Sequence, residues 1–171
     1  MEFNLEQIPT IGYNSNDTNY NLPDGTTVKV KIYDNGGQER FNSLTNTFYN
    51  KVDSCILVYD ITNKKSFERC TYFSESIRER SKNGINVFLI GNKLDYNEYR
   101  QVSIEDGLNY AIRNGYYFYE TSCKNNTNIQ IVFQKLIEET VKKKELEDDE
   151  NGIDNLILTR KVIKPQKKTF C

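Results

Sequence analysis

Two short, almost continuous apolar runs constrain the fold more than any other feature of this sequence. They are Ser54 to Tyr59 (SCILVY) and Val87 to Ile90 (VFLI), and both are rich in branched or aromatic residues. Such runs are typical of strands buried on both faces of a parallel sheet. The segment between them has the apolar spacing of a helix that lies on a sheet, at Phe67, Cys70, Phe73 and Ile77. The pattern predicts a strand, a helix and a second, parallel strand.

A hairpin is predicted before these runs. Thr27 to Tyr33 alternates apolar and polar residues and follows the turn dipeptide Asp24-Gly25. The first arm of the hairpin is expected at Gly12 to Asn21.

Two more helices and a last strand are predicted after the runs. Ser103 and Asp106 form a variant of the capping box, and Gly115 suits a C-terminal cap. Apolar residues recur through that helix, at Ile104, Leu108, Ala111 and Ile112. Tyr116 to Tyr119 is interpreted as the last strand, and a final helix is expected from about Asn128 to Lys144.

The order of elements predicts an α/β, doubly wound domain whose sites lie at the carboxyl ends of the strands. One domain is expected over residues 1–144. Residues 145–171 combine an acidic run with a basic stretch, so we expect a variable, disordered tail.

Composition excludes several classes of function. The 23 Lys and Arg residues nearly balance the 24 Asp and Glu residues, which argues against a nucleic-acid partner. No apolar run approaches a membrane span, and no signal peptide is evident, so a cytoplasmic protein is expected. The absence of histidine and of C-x-x-C spacing disfavours a zinc site, and it removes the commonest general base.

Polar loops follow three of the predicted strands. They begin at Asp34, Gly91 and Glu120, and they read DNGGQERF, GNKLD and ETSCK. Because the carboxyl ends of parallel strands share one edge of a sheet, these loops are expected to converge on one rim.

With Pro9-Thr10-Ile11-Gly12 and LVYDIT at Leu57 to Thr62, these loops resemble the motifs of the Ras superfamily of small GTPases, most closely the Rab branch. The five segments occur in the family's order, and the resemblance covers residues 1 to about 144. It implies a P-loop NTPase-like domain with a mostly parallel sheet and helices on both faces. It also implies GTP or GDP and magnesium as cofactors, Rab-type effectors and regulators as partners, and a monomer.

The resemblance implies roles for individual residues. Asp95 is expected to accept hydrogen bonds from guanine, Asn92 and Lys93 to brace that loop, and the Cys123 backbone N–H to contact the guanine oxygen. Thr10 and Asp34 are implied at magnesium, Gly37 at the γ-phosphate, and Gln38 as the catalytic residue that orients water. Ser122 and Lys124 complete the implied GTP site, and the implied effector surface consists of Ile11, Gly12, Phe41 and Tyr49.

One motif of the family is absent from these 171 residues. No G-x-x-x-x-G-K-[ST] loop is present, although that loop supplies backbone N–H groups, a lysine and a hydroxyl to phosphates and magnesium. We therefore expect the first strand, the P-loop and the first helix to be missing, and GTP binding and hydrolysis to be impaired. In the family that strand lies in the middle of the sheet, so we also expect a gap that leaves the hairpin strand TVKVKIY and the strand SCILVY unpaired. The alternative is a nucleotide-independent interaction module or an inactive remnant, either a pseudo-GTPase or an incomplete gene product.

The carboxyl end suggests a membrane anchor. Cys171 follows Lys167 and Lys168, in outline like the prenylated tails of Rab proteins, which implies attachment to the cytoplasmic face of an internal membrane. An unmodified terminal thiol on a solvated tail is the alternative.

Overall fold

The computed structural model describes residues 10–36, 48–81 and 84–150. Within these ranges the chain forms strands β1 (Tyr13–Asn21), β2 (Thr27–Asn35), β3 (Ser54–Asp60), β4 (Asn86–Asn92) and β5 (Tyr117–Glu120). The α-helices are α1 (Lys64–Arg80), α2 (Ile104–Asn114) and α3 (Ile129–Glu150), and a 3-10 helix spans Leu94–Tyr99.

The first two strands form the predicted hairpin. They pair antiparallel from Tyr13 opposite Asn35 to Asn21 opposite Thr27. In the turn, Asp24 accepts a hydrogen bond from the Thr26 N–H at 2.8 Å. Gly25 has a φ of +84°, which costs glycine little because it has no Cβ.

The two apolar runs form neighbouring parallel strands, as predicted. The sheet order is β3-β4-β5, and both pairings are parallel. The sheet therefore brings the carboxyl ends of three strands to one edge.

Helices cover both faces of this sheet, which confirms the predicted α/β class. Side chains alternate along β4: Val87 and Leu89 pack in one apolar cluster with residues of α1 and α2, and Phe88 and Ile90 pack in another with Val132 of α3. Burial of a large apolar side chain contributes about 1.5 to 3 kcal/mol, so this alternation fixes the register of the strand.

The predicted caps of α2 are present. The Ser103 side chain accepts a hydrogen bond from the Asp106 N–H at 3.0 Å, and Gly115 ends the helix with a φ of +70°. However, the apolar residues that mark this helix in the sequence do not share one buried face. Ala111 is buried, whereas Ile104, Leu108 and Ile112 are exposed.

The last helix is longer than the sequence suggested. We expected it to end near Lys144 and the acidic run Glu145 to Glu150 to be irregular, but α3 continues to Glu150. The predicted end near Lys144 was wrong because Glu, Leu and Lys are strong helix formers. In addition, Lys143 forms an ion pair with Glu147 one turn later, at 3.9 Å. Residues 151–171, including Cys171, lie outside the described residues.

The two sheets are separate. Among the described residues, β2 pairs with β1, and β3 pairs with β4, but no ladder joins the hairpin to the parallel sheet. Val58 of β3 is exposed although it lies in a strand that the sequence marks as buried. This separation was predicted from the absence of a central strand, and the missing strand, P-loop and helix themselves stay a prediction.

Candidate functional site

Two of the three predicted polar loops, GNKLD and ETSCK, meet at the carboxyl edge of the parallel sheet, as the sequence predicted for them. The third, DNGGQERF, follows β2 of the hairpin sheet instead, and from residue 37 onward it lies outside the described residues. The two loops that meet line an open cavity of about 400 Å³. Its walls come from the ends of β3 and β4, from the start of the 3-10 helix and from the loop after β5. The lining residues are Thr62, Asn92, Lys93, Asp95, Tyr96, Cys123 and Lys124.

Asp95 is held in place by the opposite loop. Its Oδ1 accepts a hydrogen bond from the Ser122 hydroxyl at 2.6 Å, and Ser122 is itself buried. A carboxylate has lone pairs on two oxygens, and among the described residues none bonds Oδ2. The side chain is therefore oriented while one oxygen stays available on the cavity side.

Asn92 joins the same two loops. Its Oδ1 accepts from the Thr121 hydroxyl at 3.2 Å and from the Cys123 N–H at 3.3 Å. Asn92 therefore links the end of β4 to the loop after β5, and its role in a guanine site stays a prediction. The Cys123 N–H, which the resemblance assigned to the guanine oxygen, donates to Asn92 here through a long hydrogen bond.

Lys93 lies between β4 and the 3-10 helix in a left-handed conformation, with a φ of +70°. Such a conformation costs roughly 1 to 3 kcal/mol for a residue other than glycine, and it is often found at functional sites. The Lys93 ammonium pairs with Asp60 at 2.6 Å. Lys93 thus connects the end of β4 to the end of β3.

Asp60 is fixed by its neighbours as well. The backbone N–H and the hydroxyl of Thr62 both donate to Asp60 Oδ1, at 2.8 and 2.7 Å. Burial by itself raises the pKa of Asp60, but the hydrogen bonds from Lys93 and Thr62 outweigh it and lower that pKa below its usual value. Asp60 is therefore ionised at neutral pH and holds Lys93 as a charged partner.

The outer wall of the cavity is formed by a lysine and an aromatic ring. The Lys124 ammonium lies 5.0 Å from the centre of the Tyr96 ring, within the range of a cation–π contact. Cys123 is exposed beside them. Tyr96 could not be predicted as part of the site, because it lies outside the motifs.

An ion pair behind the cavity was also missed by sequence reasoning. Arg100 forms two hydrogen bonds with Glu120, at 2.5 and 2.8 Å, and both side chains are largely buried. The hydrogen bond that Arg100 donates to the Glu120 carboxylate raises the pKa of Arg100. This pair links the residue after the 3-10 helix to the last residue of β5, so it connects the two loops that carry Asp95 and Ser122.

The two residues implied at magnesium lie together on the hairpin side. The Thr10 hydroxyl donates to Asp34 Oδ2 at 2.9 Å. Gly37 and Gln38 lie outside the described residues. Among the described residues, no group of three or more Cys, Asp or Glu side chains is arranged to hold a metal ion.

The expected effector surface is only partly supported. Ile11 is exposed, but Tyr49 is 5% exposed and packs in the core, so the Tyr49 side chain does not belong to that surface. Phe41 lies outside the described residues, and Gly12 is partly exposed.

An aromatic cluster lies next to Ile11 in the chain and was not anticipated. The rings of Tyr13 and Tyr33 each lie 4.9 Å from Phe48, and Tyr13 is exposed. Alternation along the hairpin could have indicated that Tyr13 and Tyr33 share a face, because they are near partners across the strands.

Comparison with known proteins identifies the family of this fold and site. A family model described as the Ras family matches residues 1–142. The chain belongs to the Ras family. The matched residues include all the loops that line the cavity.

Relatives of this Ras-family protein carry Rab names. It is 39% identical to the Ras-related protein RabC of Dictyostelium discoideum over 138 residues, which cover 80% of this chain and 70% of the relative. It is 36% identical to the Ras-related protein Rab-8 of Diplobatis ommata over 166 residues, or 97% of this chain and 78% of the relative. It is 38% identical to the human Ras-related protein Rab-8B, over 82% of this chain and 68% of the relative. The chain is therefore a Rab-like member of the Ras family.

Proposed function

We propose that this protein is a Rab-type guanine-nucleotide-binding protein of vesicle traffic that recognises the base through Asp95. One observation carries the proposal: Ser122 orients the Asp95 carboxylate at the wall of an open cavity built from the GNKLD and ETSCK loops. Pockets of several hundred Å³ with a few fixed polar groups are typical of small-molecule sites.

The chemistry of this carboxylate favours guanine over adenine. Guanine presents a ring N–H beside an exocyclic amino group, and a carboxylate oxygen pair accepts from such adjacent donors. Adenine does not offer that pair of donors. A site built around specific donors rejects an analogue that lacks them by ~10⁴ or more, because its own acceptor is left unpaired. Lys93 and Tyr96, which line the cavity, would contact the faces of the base.

The phosphate end of the nucleotide is assigned to the hairpin side. Thr10 and Asp34 offer a hydroxyl and a carboxylate, which are the oxygen ligands that magnesium prefers. Bound magnesium would neutralise the negative charge that develops on the phosphates. Gly37 would donate its N–H to the γ-phosphate, and Gln38 would orient the attacking water. Since the chain has no histidine, hydrolysis would rely on a positioned water and on bound charge rather than on a histidine base.

Nucleotide binding by these 171 residues is expected to be weak. Without a G-x-x-x-x-G-K-[ST] loop, several charge-assisted phosphate contacts of ~1.5 to 3 kcal/mol each are absent. Two such contacts correspond to a loss of about a thousandfold. Hydrolysis of GTP would be slowed for the same reason, because the charge of the transition state is less well stabilised.

The test is a nuclear magnetic resonance titration of the purified chain with GTP, GDP and ATP at millimolar concentrations. We expect GTP and GDP to shift the amide signals of Asp95, Cys123 and Lys124 and ATP to leave them unchanged. A matched chain with a G-x-x-x-x-G-K-[ST] segment added upstream should bind GTP at least ~1000-fold more tightly. Equal shifts with ATP and GTP would contradict base recognition by this site.

A second candidate function is nucleotide-independent protein binding. It is favoured by the exposed apolar and aromatic side chains of Ile11 and Tyr13 with the neighbouring Tyr33–Phe48 pair. Exposed aromatic clusters are common in protein interfaces. If the folded chain shows no guanine-dependent shifts at any concentration, this alternative is favoured over a nucleotide-dependent switch.

Membrane attachment is proposed through Cys171. None of the described helices is both long and apolar enough to cross a bilayer. A prenyl chain gains ~0.8 kcal/mol per buried CH₂, and anionic leaflets attract the basic residues before Cys171. Cys171→Ser should therefore move the protein from the membrane fraction to the soluble fraction of cells. Identical fractionation of both proteins would show that the tail is not an anchor.

A further inference from the structure

The helix α2 carries an exposed apolar stripe that the nucleotide site does not use. Ile104, Leu108 and Ile112 follow one another at four-residue spacing and are 56%, 43% and 66% exposed. Residues at this spacing lie on one face of a helix, about 6 Å apart along its axis. The buried side of α2 is formed instead by Gly107 and Ala111, so the stripe lies beside the core contact and faces solvent.

A row of polar residues runs beside the stripe and changes charge along the helix. Glu105, Asn109 and Arg113 are also four residues apart, and all three are exposed. The row is therefore acidic at the start of α2, neutral in the middle and basic at the end. Within the part of the chain that the structure describes, neither Glu105 nor Arg113 forms an ion pair. The Arg113 Nε donates to the Asn109 carbonyl at 3.1 Å.

We propose that α2 binds α2 of a second copy of this chain in an antiparallel arrangement. A twofold axis would pass close to Leu108, so that Leu108 packs on Leu108 of the partner subunit. Ile104 would then pack on Ile112 of the partner subunit, and the reverse contact would form at the other end. A twofold interface of this kind uses the same patch on both subunits.

The charge pattern favours a second copy over another occupant. An antiparallel pair reverses the polar row, so Glu105 lies opposite Arg113 of the partner subunit at both ends of the contact. With Leu108 on the axis, the two residues are offset by about 3 Å along the helices, which long side chains can span. A parallel pair would place the two polar rows on opposite flanks of the contact, where Glu105 and Arg113 could not pair. A partner of a single charge would complement only one end of the row.

The dimer should be weak. One pair of helices of 11 residues covers less surface than the ~1,600 Å² of a standard stable interface. A dimer of this kind would replace the monomer that we expected from the sequence, and its formation would not depend on nucleotide binding.

The first test is sedimentation of the full chain over a wide range of protein concentration. We expect the mean mass to rise from monomer toward dimer, and Leu108→Glu to abolish that rise because it places two charges together at the axis. Leu146→Glu is the matched control, since Leu146 is an exposed leucine on α3. Circular dichroism checks that each variant is folded. A wild-type chain that stays monomeric throughout, or a dimer that Leu108→Glu does not affect, would overturn the proposal.

A charge-exchange experiment tests the orientation. Glu105→Arg and Arg113→Glu should each raise the dissociation constant about tenfold, because two opposite-charge contacts become two like-charge contacts. An equimolar mixture of the two variants should dimerise as tightly as the wild type, since both contacts then join opposite charges. If the mixture dimerises no better than either variant alone, the antiparallel arrangement is wrong.

Discussion

Gly107 lies inside α2, where glycine is a poor helix former, and on the side of the helix that faces the sheet. A Cβ at this position would lie 2.6 Å from the Tyr59 hydroxyl oxygen and 2.7 Å from the Phe118 ring. Both of those side chains are held in the core, and Tyr59 is fully buried. Gly107 therefore allows α2 to approach the sheet more closely than any other residue would.

Because of this contact, we expect Gly107→Ala to lower the stability of the fold, although helix propensity alone would raise it. Propensity alone makes Gly107→Ala stabilising by about 1 kcal/mol, whereas overpacking a core costs about 1 to 3 kcal/mol. We expect a net loss of stability of ~1 kcal/mol, measured by urea unfolding. Asn109→Ala on the exposed side of the same helix is the control and should be neutral or slightly stabilising. A Gly107→Ala protein more stable than the wild type would contradict the packing seen here.

At the residue scale, the sequence predicted the positions of some residues but not those of others. Asp95 and Ser122 could be placed at one site, because each follows the end of a parallel strand. The burial of Tyr49 could not be predicted from its neighbours in sequence, since it depends on a core that β3, β4, α1 and α2 build together. Gly107 carried no signal either, because its role depends on the position of Tyr59.

At the scale of elements, the pair of Arg100 and Glu120 joins two segments that carry the candidate site. Arg100 also donates to the Asn97 side chain at 2.8 Å and to the Val102 carbonyl at 3.0 Å. The guanidinium thus joins the 3-10 helix to the end of β5 by hydrogen bonds. Hydrogen bonds on several sides compensate for the loss of hydration of both charges.

Removing one partner of this pair should be strongly destabilising. Arg100→Ala leaves the Glu120 carboxylate largely buried without its counter-ion, and the expected loss is about 3 kcal/mol in urea unfolding. Arg100→Lys should keep only part of the stability that Arg100→Ala loses, because a lysine cannot make the two parallel hydrogen bonds. A double-mutant cycle with Glu120→Ala should show coupling above ~1 kcal/mol. Additive effects of the two substitutions would mean that the pair contributes little.

Secondary structure was more predictable than the way the helices pack. Buried parallel strands have a strong local signal, and β3 and β4 were both anticipated. The spacing of the large apolar residues in α2 did not show which side of the helix would face the sheet. The closest contact is made by the small residues Gly107 and Ala111. The end of α3 was missed because an acidic composition suggested a solvated tail, although its residues favour a helix.

At the scale of the whole molecule, the described residues form two sheets that share no backbone hydrogen bonds. The free edge of β3 leaves a row of N–H and C=O groups without strand partners among the described residues, and exposed Val58 lies in the same strand. Such edges promote association between chains. The separation was deduced from the sequence by analogy with the Ras superfamily, since composition and periodicity alone do not reveal a gap between strands.

The separate sheets predict poor thermal stability. We expect dilute protein of these 171 residues to unfold over a broad temperature range and to aggregate on heating, as followed by circular dichroism and light scattering. The physical reason is that unpaired edge groups and exposed apolar side chains reduce both stability and cooperativity. A sharp, reversible transition that is independent of heating rate would be inconsistent with this description of the fold.

Recognition of guanine by Asp95 is tested most directly by exchanging the base and the side chain together. In Asp95→Asn the Ser122 hydroxyl should still donate to the side-chain oxygen, which turns the new NH₂ group toward the cavity. That group can donate to the C2 oxygen of xanthine, whereas guanine has donors at the same positions. We predict that the ratio of GTP to XTP affinity, measured by titration on both proteins, is high for the wild type and reversed for Asp95→Asn. An unchanged ratio would contradict the assignment of Asp95 as the residue that recognises the base.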